Sequence, residues 1–180
     1  MDEIFIISQI LGIIGMIINV LSYQVSSPKR LILLQTAGTA IFCVHYLMLG
    51  AITAFVLNVL CVLRNVAFFY KEKSPYLKKI SPVFFTLAIG MFGVLSWQNI
   101  FSLFLIIALM TNTVFLSFDN SQLLRKSILL TSSLVVVYNV FVFSLGGIVS
   151  ESLIIVSSIV GIIRFYKTKP LDEKDGTSGG

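Results

Sequence analysis

The sequence predicts an all-α integral membrane protein: seven transmembrane helices, set out as two parallel three-helix repeats joined by a linker helix (3+1+3). Three observations predict it. Long apolar runs fill the chain, basic residues are confined to alternate gaps between the runs, and the second half repeats the first. The 180 residues are 57% hydrophobic and 12% charged, with a mean hydropathy of +0.97. Soluble domains are roughly 45–50% apolar and about 25% charged. So little polar surface cannot cover a globule, and lipid must be the solvent for most of the chain. A span takes about 20 mainly apolar residues to cross ~30 Å of hydrocarbon, which leaves room for six or seven spans and little else.

The first run, Ile4–Tyr23, follows Met-Asp-Glu. It lacks the basic start and small-residue cleavage site of a secretory signal, so it reads as a retained span with its acidic end outside. Lys29 and Arg30 precede the second run, Leu31–Leu49. Gly50 alone separates this run from the third, Ala51–Tyr70, so the two must lie antiparallel and adjacent. Lys71, Lys73, Lys78 and Lys79 come before the fourth run, Ile80–Trp97, the shortest and the linker. Trp97-Gln98-Asn99 leads into Ile100–Phe118, with Trp97 suited to an interfacial aromatic belt. Arg125 and Lys126 precede Ser127–Leu145, and Gly146-Gly147 turns the chain into Ile148–Tyr166. These runs are too long and too little alternating for barrel strands. The membrane domain is thus residues 1–167, with repeat one at 4–71, the linker at 80–97 and repeat two at 100–167. Residues 168–180, polar and Gly-rich at the end, are expected to form a disordered cytoplasmic tail.

Charge parity tests the number of spans. The gaps at Lys29/Arg30, Lys71–Lys79, Arg125/Lys126 and Lys167–Lys174 are basic, while those around Gly50, Trp97-Asn99 and Gly146-Gly147 carry no charge. Seven spans put every basic gap on one side, and short basic loops stay in the cytoplasm. The N-terminus is then outside and the C-terminus inside. Six spans would split the basic gaps between the two faces. The net charge of +5 therefore serves orientation and headgroup anchoring. No basic face with interleaved aromatics exists, and no nucleic-acid partner is expected.

The halves match at an offset of 95, then 96. Leu21-Ser22-Tyr23 recurs as Leu116-Ser117-Phe118, and Ser26, Arg30 and Thr36 recur as Ser121, Arg125 and Thr131. Gly50, Ile52 and Leu57 match Gly146, Ile148 and Leu153, and Phe69-Tyr70-Lys71 matches Phe165-Tyr166-Lys167. Span 1 maps onto span 5, so both repeats enter from the same side, related by an axis along the membrane normal.

This layout resembles the SWEET and PQ-loop superfamily of small-solute transporters. More closely, residues 7–167 resemble the bacterial inner-membrane YgjV family. The resemblance rests on Val44-His45-Tyr46-Leu47-Met48-Leu49-Gly50, on Leu57-Asn58 with Arg64, and on Leu145-Gly146-Gly147 with Glu151 and Ile162-Ile163-Arg164-Phe165. It implies a bacterial inner-membrane location. The wider superfamily implies transport by analogy of fold alone. Sugar-carrying SWEET-like proteins have hinge prolines in the first helix of each repeat. Here Pro28, Pro75, Pro82 and Pro170 all fall at or outside span ends, which weakens both a sugar cargo and the particular rocking motion those prolines permit.

Ionisable groups at bilayer depth cost about 2.5–3.5 kcal/mol on insertion scales, so each needs a reason. Glu151 binds a proton or cation, pairs with a basic group, or reaches headgroups from the last span. His45 is either half of an outer gate with Glu151 or a histidine bonded to backbone or water. Arg64 binds an anionic cargo or anchors to headgroups, and Arg164 reads as an anchor. Asn58, Asn19, Asn112 and Asn139 are the neutral candidates for a solute site, against a default role in helix–helix hydrogen bonding. Cys43 and Cys61 read as small packing residues and make no zinc spacing with the lone His45. No metal or cofactor is expected.

Two functions compete: a small-solute carrier or facilitator for a polar or anionic solute, and a non-transporting membrane subunit, sensor or assembly factor. A homo-oligomer is compatible with either. An intramembrane enzyme ranks third and is not expected, since neither a nucleophile elbow nor an HExxH motif is present.

Overall fold

In a computed structural model, described over residues 3–22, 28–70, 75–115 and 121–168, the chain forms seven helices and, among those residues, no strand. They are α1 (Glu3–Ser22), α2 (Pro28–Met48), α3 (Ile52–Tyr70), α4 (Pro75–Leu95), α5 (Phe101–Phe115), α6 (Ser121–Phe141) and α7 (Leu145–Thr168). Two of them, α1 and α3, are long and apolar enough by themselves to cross a bilayer. The other five contain shorter apolar stretches, from Leu33–Met48 to Leu145–Val160.

Burial runs opposite to that of a soluble bundle. On α1 the buried residues are Ser8, Gln9, Gly12, Gly15 and Ser22, while Ile4, Ile6, Ile7, Ile10, Ile13, Ile14 and Ile17 are exposed. Phe84, Leu87 and Leu95 of α4 also face outward, whereas Thr53, Ser102, Thr113 and Asn139 are fully buried. Small and hydroxyl-bearing residues let helices approach and hydrogen-bond across the contact, and apolar side chains face the lipid tails. In water an exposed apolar surface this extensive would aggregate.

Each helix packs on the next, and α7 closes the ring against α1; α3 also touches α5, behind α4. Side-chain hydrogen bonds fix which ends coincide. Gln98 Nε2 donates to Gly50 O at 2.8 Å, and Gln9 Nε2 donates to Phe143 O at 2.8 Å. His45 joins Ser8 to Ser144. The three uncharged connections therefore sit at one end of the bundle with the start of α1.

Boundaries differ from the sequence reading: α2 and α6 begin earlier, at Pro28 and Ser121, because their basic residues continue the helix beyond the apolar run, and α6 ends at Phe141 instead of Leu145. Two differences bear on the site. The seventh begins at Leu145 instead of Ile148, because Ser144 caps it: its Oγ accepts the Gly147 N–H at 3.2 Å. Gln9 Oε1 accepts the Leu145 N–H at 3.0 Å. With these orphan donors satisfied, Gly146 and Gly147 enter the first turn of the helix. The reversal is made just before, at Phe143, which holds a positive φ of 55°. The fourth helix begins at Pro75, where a missing N–H is harmless, so Pro82 lies inside the helix while still at the start of its apolar stretch, Ile80–Leu95. At 21 residues it is not the shortest; among the described residues α5 is, at 15.

The ring closes through a backbone-to-backbone contact. A Cβ placed on Gly146 would overlap the carbonyl group of Gly12, with the Gly12 Cα 2.8 Å away. Only glycine at Gly146 lets α1 and α7 cross this closely. The tail after Thr168 lies outside the described residues, as do Lys71 and Lys73 and the side chains of Lys29, Arg125 and Arg164.

Candidate functional site

A cavity of about 460 Å³ lies inside the ring. Each helix that lines it does so with one stripe at helical spacing. On α2 the stripe is Gln35, Thr39, Phe42 and Tyr46; on α3 it is Asn58, Cys61, Arg64, Asn65 and Phe68. Leu105, Ala108, Leu109 and Asn112 come from α5, and Ile128, Thr131, Ser132 and Val135 from α6. Helix α7 gives Gly147, Ser150, Glu151 and Ile154, α1 gives Asn19, and no described residue of α4 takes part.

Five sequence candidates thus share one chamber: Asn19, Asn58, Arg64, Asn112 and Glu151. Asn58 Nδ2 donates to Ala54 O at 2.8 Å, which ties the amide to its own helix and leaves Oδ1 as an acceptor for the chamber. Arg64 is buried. Its Nη1 donates to Thr113 Oγ1 at 2.8 Å, and Nε and Nη2 donate to Asn65 Oδ1 at 3.4 and 3.2 Å. Those partners are neutral, and three of the five guanidinium N–H groups are used. Cys61 lies one turn before Arg64 on the same stripe and is a free thiol, as is Cys43. Glu151 is half-buried on the opposite wall, beside the Ser132 hydroxyl. Among the described residues neither Arg64 nor Glu151 forms an ion pair.

His45 and Asn139 stand elsewhere. The Ser8 carbonyl can only accept, so Nδ1 of His45 carries the proton that reaches it across 2.6 Å. Ser144 Oγ lies 2.7 Å from Nε2 and already accepts the Gly147 N–H, so its own hydrogen points at Nε2. Both ring nitrogens are consumed. His45 is completely buried and clasps α1, α2 and the α6–α7 turn instead of meeting Glu151. Depth is the reason. His45 is three residues from the end of α2, whereas the early start of α7 puts Glu151 six residues in. Asn139 sits behind the chamber wall: its Oδ1 accepts the Tyr46 hydroxyl at 2.6 Å, and its Nδ2 has no partner.

Sequence reasoning missed Gln35, Thr39, Asn65, Thr113, Thr131 and Ser132. Gln35/Thr39 at i, i+4 on α2 was the available signal, a polar stripe in an otherwise apolar helix. In the sequence Thr131 stands out only as the repeat match of Thr36.

A ring of helices with apolar outer faces, around a chamber of mixed polar and apolar lining, defines a helical membrane protein. Residues 6–169 match the Imp-YgjV family, described as bacterial inner membrane protein, and the chain belongs to that family. No curated protein matches, and no solved structure does.

Proposed function

We propose that this protein is a small-solute carrier or facilitator in which one three-helix unit, α1–α3, moves against the other, α5–α7, with α4 as their linker. One observation carries the reading: the chamber, with amides, hydroxyls, Arg64 and Glu151 set among apolar side chains, is lined from both triplets and by no described residue of α4. Convergent amides and charges in a concave site let a polar solute shed water while keeping hydrogen bonds. A purely structural bundle has no need of such a space. Helix neighbours support a two-fold relation between the triplets. Exchanging α1 with α5 and α3 with α7 turns the α1–α7 contact into the α5–α3 contact.

The basic gaps argue for an N-terminus outside and a C-terminus in the cytoplasm. The chamber runs from Tyr46 and Gly147 toward Phe68 and Ile128, each two residues or so from a basic gap. In that orientation it faces the cytoplasm, and the Ser8–His45–Ser144 clasp closes the outer side. No phosphate-cradling motif is present in the sequence, so this chain does not use ATP directly.

The test is reconstitution of the full chain in liposomes and a flux screen of small polar solutes. We expect at least one solute to move faster than in empty vesicles, and Arg64→Gln and Glu151→Gln to reduce that flux. Undiminished flux in both variants would remove the chamber from the pathway. An absence of flux across the screen would favour the non-transporting subunit.

A further inference from the structure

We infer that the chamber's ligand is an elongated zwitterion of di- or tripeptide length, its carboxylate on Arg64 and its ammonium on Glu151; this rests on the carrier reading above. A guanidinium and a carboxyl group line one cavity without pairing with each other or with any other described ionisable group. Ionised side chains at bilayer depth face a cavity and find a counter-charge. Here a bound molecule supplies both.

The separation follows from the helices. Both α3 and α7 start at the uncharged end of the bundle. Arg64 is twelve residues into α3 and Glu151 six residues into α7. At 1.5 Å per residue their levels differ by about 9 Å. Thr113, twelve residues into α5, holds the guanidinium at the deeper level through its 2.8 Å bond to Nη1, so the head does not swing back toward Glu151. An α-amino acid, with its charges a few bonds apart, cannot touch both. An extended chain advances about 3.3–3.6 Å per residue, so a di- or tripeptide spans roughly 7–10 Å.

The wall along that line fits a peptide backbone. Asn58, six residues into α3 and so at the level of Glu151, has Oδ1 left to accept an N–H. Asn112 of α5 and Thr131 of α6 stand between the two levels, and Gln35 of α2 lies at the Arg64 end. Arg64 keeps two N–H groups beyond those used by Thr113 and Asn65, the number a bidentate carboxylate takes. A simple anion would leave Glu151 facing it unpaired, and a simple cation would leave Arg64 so.

The experiment is ligand binding by the purified full chain to glycine, diglycine, triglycine and tetraglycine, with their N-acetyl and C-amide derivatives. Succinate, a dianion, is the control. Diglycine or triglycine should bind more than about tenfold tighter than glycine, than succinate and than either capped form. Arg64→Gln should abolish discrimination against the C-amide only, and Glu151→Gln against the N-acetyl form only. Equal binding of capped and free peptides, or glycine or succinate binding as tightly as triglycine, would overturn the assignment. So would no binding by any member of the series to the unmodified protein, which needs no variant to fold. Flux separates this claim from the one beneath it. Charge-dependent peptide binding without flux in liposomes would sink carriage and leave the zwitterion site. Flux of another solute while these peptides neither bind nor move would sink the zwitterion and leave carriage.

Discussion

Substitution of Gly146 by alanine should be among the most damaging single changes of one methyl group in this protein. The new Cβ falls on the Gly12 carbonyl group, and the Gly12 Cα is 2.8 Å away. Carbon atoms attract only from about 3.5 Å outward, so α1 and α7 must part by at least about 0.7 Å. Both obstacles are backbone, and neither can rotate aside. Overpacking of this kind costs about 1–3 kcal/mol. The same displacement stretches both bonds from Gln9 to the α6–α7 turn, now 2.8 and 3.0 Å, beyond hydrogen-bonding range, at about 0.5–1.5 kcal/mol each. Better helix propensity returns no more than about 1 kcal/mol. The net loss is about 1–6 kcal/mol, which lowers Tm by roughly 2–24 °C in a chain of this size. Thermal unfolding in detergent, followed by circular dichroism, reads the shift. Gly90→Ala is the control, because its Cβ would meet only the flexible end of Met110 at 3.2 and 3.3 Å. An unchanged Tm for Gly146→Ala, or an equal drop for both variants, would refute the claim that this crossing sets the closure of the ring.

Three further expectations are open to measurement. Ser144→Ala removes the cap on α7 and the partner of His45 Nε2, and should lower stability by about 1–2 kcal/mol; a thermal melt matching the native protein would count against it. Tyr46→Phe leaves both polar atoms of Asn139 buried without partners, a loss of about 1–3 kcal/mol. Adding Asn139→Leu should recover part of that loss, and a double variant weaker than the single one would show that the pair is not acting through hydrogen bonding. Reporter fusions should put the N-terminus outside and the C-terminus in the cytoplasm, and both ends on one face would mean an even number of crossings.

Helix number was legible because apolar runs and their punctuation are strong signals in lipid. Boundaries were less so where one residue type has two meanings. Gly146-Gly147 reads as a hairpin, yet a serine cap and a glutamine 135 or so positions away make it the opening of a helix. That partner is invisible to local pattern. Among the site residues, Asn19, Asn58, Arg64, Asn112 and Glu151 were legible as polar exceptions in apolar runs, and they converge on one chamber. Asn139 is the same kind of exception and faces away, because rotation about a helix axis is decided by packing with Tyr46 and Gly147. The threonines and serines of the chamber were passed over for the converse reason: they satisfy themselves on their own helices in most spans, as Thr39 does on Gln35 O at 2.7 Å, so their presence alone says little.

The contacts of Gln9 with Phe143 and Leu145 bridge 134 and 136 positions of sequence. A ribosome releasing this chain into the membrane therefore makes one half of that joint well over a hundred residues before the other. Through that interval the Gln9 amide must wait, unmatched, on the flank of its helix. Shortened chains that stop before α7 should be the ones cellular quality control recognises and removes, because they display that waiting edge.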